Sequence, residues 1–309
     1  MERALKRYRS VVSDSARWEG FTFRPGDIVI STPPKCGTTW MQRLVALLVF
    51  DGPDLPAPMA KVSPWLDMQL SKPEEVAALL EAQTHRRFIK THTPFDGLPY
   101  DEGVTYICVG RDPRDVAVSS RHHMENMNRD RFLEKRAAAV GLEDLAELGV
   151  GESAEPVDDA AALRFWMDSE SLVTMMTLPF AVEHLLSFWE ARDRPNVAMF
   201  HYSDMLADLP GQLHRLAGVL GYDIDRGRAE DLAAEASFDA MKRHAERVVP
   251  NADIGLWHSA DGFLHRGTSG QWREVFTDDD LAHYDERIGE LAPPELVRWL
   301  HEGSAANAR

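Results

Sequence analysis

Ten residues, "STPPKCGTTW" (31–40), lie between the apolar run "DIVI" and the helix-like "MQRLVALLVF". A buried strand, a loop of proline, glycine and threonine, and an apolar helix in that order define a βα unit. The loop and the helix start turn backbone N–H groups outward, an arrangement that favours an anion. Thr38 and Thr39 add hydroxyl donors, Lys35 adds a point charge, and Gly37 allows close backbone approach. An ordinary strand-to-helix turn with Thr38 as N-cap is the other reading. A triphosphate loop would read GxxxxGK[ST]. Here the lysine precedes the glycine, the opening glycine is missing, and no GK pair follows.

The same alternation continues along the chain. "KPEEVAALLEAQ" reads as a helix with Pro73 in its first turn, "RRFIKTHTP" as a strand, and "GVTYICVGRDPRD" as a strand running into the helical "DVAVSSRHHMEN". "PFAVEHLLSFWEAR" reads as a helix, "NVAMFHYSDM" as a strand with a polar exit, and the remainder as helices around the glycine-rich "HSADGFLHRGTSGQWREVF". Strands alternating with helices predict an α/β fold with a central parallel sheet flanked by helices. The pattern weakens between about 126 and 161, which reads as a mobile surface insertion with a short helix. No linker or repeat divides the chain, so residues 1–309 read as one domain.

Ligands of such sheets bind beyond the carboxyl ends of the strands. The polar clusters Lys35–Thr39, Lys90–His92, Arg111–Ser119 and Tyr202 all follow strands, which predicts one shared site. The net charge of −16 argues against a nucleic-acid binder, so an anion site here must concentrate a few cations locally. The two cysteines, Cys36 and Cys108, form no disulfide framework or metal-ligand pattern. No window reaches a membrane-spanning length and no apolar signal core is visible, so a cytoplasmic protein is expected. The strand "VTYICVG" exits into Arg111. Asp112 is flanked by Arg111 and Arg114, which predicts an ion pair rather than a Mg²⁺ ligand.

"STPPKCGTTW", "KTHTP", "RDPRDVAVSS" and "RGTSGQWREVFT", in that order, strongly resemble the cytosolic-type sulfotransferase family, as in a bacterial member. The resemblance covers about residues 20 to 285. It implies a P-loop-like sulfotransferase fold and an enzyme of the EC 2.8.2 type. Such enzymes move a sulfuryl group from 3′-phosphoadenosine 5′-phosphosulfate (PAPS) to an acceptor hydroxyl or amine and release PAP, without a metal.

By that resemblance, Lys35, Cys36, Gly37, Thr38 and Thr39 cradle the 5′-phosphosulfate and Trp40 packs near the adenine, although a core aromatic would suit Trp40's position equally. Lys35 would neutralise charge on the leaving oxygen. Arg111 and Ser119 match ligands of the 3′-phosphate, with Ser119 also among the catalytic set. A lone serine on a helix is otherwise a solvated or capping residue. His92 matches the catalytic base and Lys90 a residue that stabilises charge in the transition state. Tyr202 matches a nucleotide contact, and Ala236, Ser237, Phe238 and Met241 an adenine-contacting segment that could equally be helix core. Phe263, Leu264, His265, Arg266 and Gly267 match a second phosphate loop. His265 replaces a frequent arginine, which would make that clamp weaker or pH-dependent. The dimer signature of many family members is not recognisable in "REVFTDDDLAHYD", so the oligomeric state stays open.

His122 and His123 read as structural or pocket residues. Trp65, Phe95 and the stretch from 126 to 180, including the methionine-rich "FWMDSESLVTMMTLPF", are expected to shape an apolar acceptor site for a phenolic or lipid-like molecule. Core packing under the insertion would explain that composition as well. Two rival functions are an ATP-dependent phosphotransferase and a non-catalytic module that binds PAP or PAPS.

Overall fold

The computed structural model describes residues 4–148, 158–171 and 174–308. Four strands form one sheet: β1 (Ile28–Ser31), β2 (Phe88–Thr91), β3 (Thr105–Gly110) and β4 (Val197–His201), all parallel in the order β2-β1-β3-β4. The chain crosses from β1 outward to β2, returns over β1 to β3, and continues to β4. The order therefore reverses between β1 and β3, where a crevice opens at the carboxyl ends.

Twelve helices matter for the site and its support. They are α1 (Thr38–Val49), α2 (Pro73–Ala82), α3 (Pro113–Asn126), α4 (Arg129–Val140), α5 (Asp159–Asp168) and α6 (Leu178–Ala191), then α7 (Tyr202–Ala207), α8 (Leu209–Leu220), α9 (Arg226–Ala234), α10 (Phe238–Arg243), α11 (Asp278–Leu291) and α12 (Pro294–Glu302). The strands carry period-two alternation that sorts side chains to two faces. Val29, Ile89, Tyr106 and Cys108 pack one way, against α6, α11 and α12 through Leu185, Phe188, Ile288 and Leu296. Ile28, Ile30, Ile107, Val109 and Phe200 pack the other way, against α1 and α8 through Met41, Leu44, Leu213 and Leu216. Each such side chain, fully buried, contributes about 1.5–3 kcal/mol. The result is a helix–sheet–helix sandwich. At its lower edge Asp27 and Arg87 form a buried ion pair between the starts of β1 and β2.

Several expected elements shift. The run "DRGRAEDLAAEASFDAMKRH" is two helices, broken where Ser237 caps α10 through a bond from the Ala240 N–H. The polar exit of β4 turns at once into α7, capped by the His201 side chain. The stretch from 126 to 161 begins with the three-turn helix α4 rather than weak structure. Phe132 and Arg136, four residues apart, face inward on it. The Arg136 guanidinium is fully buried and donates to the Val11 and Gly141 carbonyls, Gln69 and Asp144. A buried arginine with four acceptors anchors α4, and its charge hides that role in the sequence. The acidic stretch 149–157 and residues 172–173 lie outside the described residues.

Candidate active site

All four strand exits converge on one cleft of about 1180 Å³. That exceeds the roughly 300–1,000 Å³ of an ordinary small-ligand pocket, so two molecules can share it. Lys35 follows β1, His92 follows β2, Arg111 follows β3 and Tyr202 follows β4, and all line it.

In the first loop Gly37 is the N-cap of α1 with φ 109°, and a Cβ there would meet the Tyr202 ring at 3.1 Å. Lys35 also takes a left-handed conformation, φ 68°, which is costly for a lysine and fixes its direction. Thr38 is not the cap: it is the first residue of α1, and its hydroxyl meets that of Thr32. Cys36 differs from expectation. Its side chain is fully buried in the core and does not line the cleft, so only its backbone belongs to the loop.

The Arg111 guanidinium ties two loops together. It donates to the Lys35 carbonyl at 3.0 Å and to the Thr268 carbonyl at 3.1 Å, and lies 4.3 Å over the Tyr202 ring. Its Nε is buried without a partner. Asp115 on α3 pins the second loop by accepting from the Gly270 and Trp272 N–H groups. Within that loop Gly267 has φ 65°, and a Cβ would collide with Phe238 at 2.3 Å. Arg266 sits at the cleft rim, paired with Glu274. His265 stacks on His122 with centroids 3.8 Å apart, and its Nε2 is also unpartnered. Burial, then the neighbouring His122 and Arg266, lowers the His265 pKa. Ser119, Ser237, Phe238, Met241, Phe263 and Leu264 reach the cleft. Ala236 does not: it is buried in the core, and its carbonyl accepts the Trp40 indole N–H at 2.8 Å.

At the β2 exit His92 is buried, with Nδ1 2.6 Å from the Thr32 carbonyl. A carbonyl only accepts, so Nδ1 holds the proton and Nε2 keeps a free lone pair. Burial, then Lys90, holds its pKa well below the usual histidine value, so the ring is neutral at pH 7. The Trp65 ring meets His92 edge-on at 4.6 Å and lies under the Lys90 ammonium at 4.2 Å. Burial lowers Lys90 to about 8, opposed by Asp67, and lowers Lys35 to about 7, assisted by Arg111 and Lys90. Among the described residues neither ammonium forms an ion pair, and an anion placed beside either would favour its charged form.

Sequence reasoning missed Asp67 and Trp257, and it read His123 as a structural or pocket residue without its contact to Lys35. Asp67 is buried beneath the β2 exit and accepts from Thr91, Thr93 and the Trp18 indole, which holds the "KTHT" segment in place. Trp257 lies in an aperiodic loop, yet walls the cleft. His123 touches Lys35 itself, 3.2 Å from Nδ1 to Nζ. Asp112 caps α3 and pairs with Arg114 at 2.8 Å, as its flanking arginines predicted. Phe95 packs in the core against Tyr106 and Phe188, outside the cleft, because the chain turns it beneath the sheet.

A sulfotransferase-domain family model matches residues 25–296. The chain belongs to the sulfotransferase family. This sulfotransferase is 48% identical to a glycolipid sulfotransferase of Mycobacterium bovis, over 96% of this chain and 94% of that one. A glycolipid sulfotransferase of Mycobacterium tuberculosis matches at 48% with the same shares. Mouse sulfotransferase 1B1 is 26% identical over 87% and 83%. In fold it is similar to retinol dehydratase in complex with androsterone and inactive cofactor PAP (TM-score 0.69, 24% identity, 90% and 83% covered). It is similar also to mouse sulfotransferase SULT7A1 complexed with PAP (TM-score 0.68, 22% identity, 95% and 93% covered). No described helix of the sulfotransferase is long and apolar enough to cross a membrane.

Proposed function

We propose that this sulfotransferase carries a sulfuryl group from PAPS to a hydroxyl of a lipid-like acceptor, a glycolipid foremost. The observation that carries the reading is the hydrogen bond of His92, whose Nδ1 is committed to the Thr32 carbonyl, which leaves Nε2 unprotonated on a neutral ring beside Lys90 and Lys35. The rims of the cleft suit a bis-anionic nucleotide. They offer an orphaned Arg111 Nε, an orphaned His265 Nε2, and two glycines at backbone positions that larger residues would crowd.

Lys35, Thr38, Thr39 and the Gly37 backbone would hold the 5′ end. Arg111, Ser119, Arg266 and Gly267 would hold the 3′-phosphate, with Trp40, Tyr202 and Phe238 around the base. Bound there, the donor supplies the sulfuryl group. His92 Nε2 takes the acceptor's hydroxyl proton as that oxygen bonds to sulfur. The electron pair of the breaking S–O bond stays on the phosphate oxygen, where the Lys35 ammonium stabilises the charge. Lys90 offers a second cation near the transferred group.

The far wall favours an apolar acceptor. Met68, Met127, Phe132, Trp166, Met175 and Met176 line it, and thioether side chains adapt to irregular apolar shapes. The 48% identity to mycobacterial glycolipid sulfotransferases supports the same acceptor class. The test is incubation with ³⁵S-labelled PAPS and two panels, glycolipids and simple phenols, in buffer containing a chelator. Label is expected in the glycolipid panel without added metal. Label confined to phenols would refute the acceptor class, and none in either panel would refute the transfer.

A further inference from the structure

Ser119 and His123 lie four residues apart on α3 and so share one face of it. The first lines the cleft; the second reaches Lys35 of the first loop. The Lys35 backbone is held left-handed and its carbonyl is tied to Arg111, so little of its main chain can move. Its side chain has two supports: His123 Nδ1 at 3.2 Å from Nζ, and the Phe263 ring 4.6 Å beneath the ammonium. The His123 ring is itself wedged between Trp257 at 4.7 Å and Phe263 at 5.5 Å. Among the described residues, the charged and titratable groups that act on this pair are Arg111, Lys90, His92, His265 and the Cys36 thiol, none of them a carboxylate. Burial, then Lys35, holds His123 well below the usual histidine value, so the ring stays neutral.

We propose that His123 is the positioning residue for Lys35: its Nδ1 accepts the ammonium's N–H while the donor site is open and yields it to the anionic oxygen of a bound donor. The inference rests on the sulfuryl-transfer reading of the cleft. Both bonds share the charged donor, but an anionic oxygen adds ion-pair attraction that a neutral nitrogen lacks, so the exchange runs in the required direction. The same bond favours the charged lysine against the cost of burial.

Two substitutions separate positioning from packing. His123→Phe keeps a ring of similar size and removes the acceptor; His123→Gln keeps an acceptor and removes the ring. His123→Phe is expected to lower kcat/KM for the donor about tenfold or more and to move the alkaline limb of its pH profile down by about one unit, while the acceptor KM changes less than about twofold. His123→Gln is expected to restore most of both. Wild-type behaviour of His123→Phe, or a His123→Gln enzyme no better than it, would overturn the proposal. On the unsubstituted protein, ¹⁵N spectra of histidine should show an unprotonated Nδ1 and a protonated Nε2 at His123 before nucleotide is added. A protonated Nδ1 there would overturn it even if the variants misfold. Failure of the unsubstituted enzyme to bind PAP or turn over would count against the transfer reading instead, since the nitrogen assignment is made on the protein alone.

Discussion

Filling the donor site should draw a proton from solution. Burial holds the Lys35 ammonium at about 7 in the nucleotide-free enzyme. An anionic phosphosulfate or phosphate oxygen beside it favours the charged form and restores a higher pKa. At pH 8 only about one Lys35 in ten is charged before binding, so binding should take up about 0.9 proton. Lys90, at about 8, adds at most about half a proton more if it too is held charged. At pH 6 the uptake from Lys35 falls to about 0.1 proton. Affinity for PAP should then weaken close to tenfold per pH unit above pH 8. Titration calorimetry at pH 8 in two buffers of different ionisation enthalpy measures the uptake directly. At that pH the nucleotide's own phosphates are already deprotonated and contribute little. Lys35→Met should abolish most of the signal while binding persists through Arg111 and the second loop. Identical heats in both buffers, with affinity flat from pH 7 to pH 9, would refute the reasoning.

Other outcomes follow from the same geometry. His92→Ala should reduce kcat about 10²–10⁴-fold while PAP affinity, read by calorimetry, changes little. Gly267→Ala places a Cβ 2.3 Å from the Phe238 ring at a left-handed position, and should weaken PAP binding at least about tenfold in a competition assay. Lys35→Met should stabilise the nucleotide-free protein. Its folded pKa is lowered, so the charged lysine's cost is full below about pH 7 and vanishes as pH approaches the unfolded value. The gain in melting temperature should therefore be largest at pH 7 and below and fade toward about pH 10. Asp67→Ala leaves Thr91, Thr93 and the Trp18 indole without their acceptor, and should cost at least about 1–3 kcal/mol in urea unfolding.

Much of the fold is legible in the sequence. "DIVIST", "RRFIKTHTP", "GVTYICVG" and "NVAMFH" all became strands of one parallel sheet, because buried strands carry short apolar runs bounded by turn residues. The polar groups after each strand came together because parallel strands deliver all their exits to one edge. What escaped were properties set by residues far away in sequence. Whether Cys36 and Ala236 face the cleft or the core depends on helices packed against them, and both turned inward. Phe95 was drawn beneath the sheet by Tyr106 and Phe188. Nothing in the sequence marks Arg136 as buried, because its acceptors come from Val11, Gln69 and Asp144. His123 stood in the sequence as one of two adjacent histidines on a helix. Only the folded loop brings it to Lys35, 88 residues away.

The central claim is that His92 Nε2 is the base for sulfuryl transfer. The most direct test is single-turnover transfer from labelled PAPS to a glycolipid acceptor by the wild type and by His92→Ala, at equal PAP occupancy. The account predicts rapid labelling by the wild type and almost none by the variant, with both proteins binding nucleotide alike. Equal labelling by the two would contradict it.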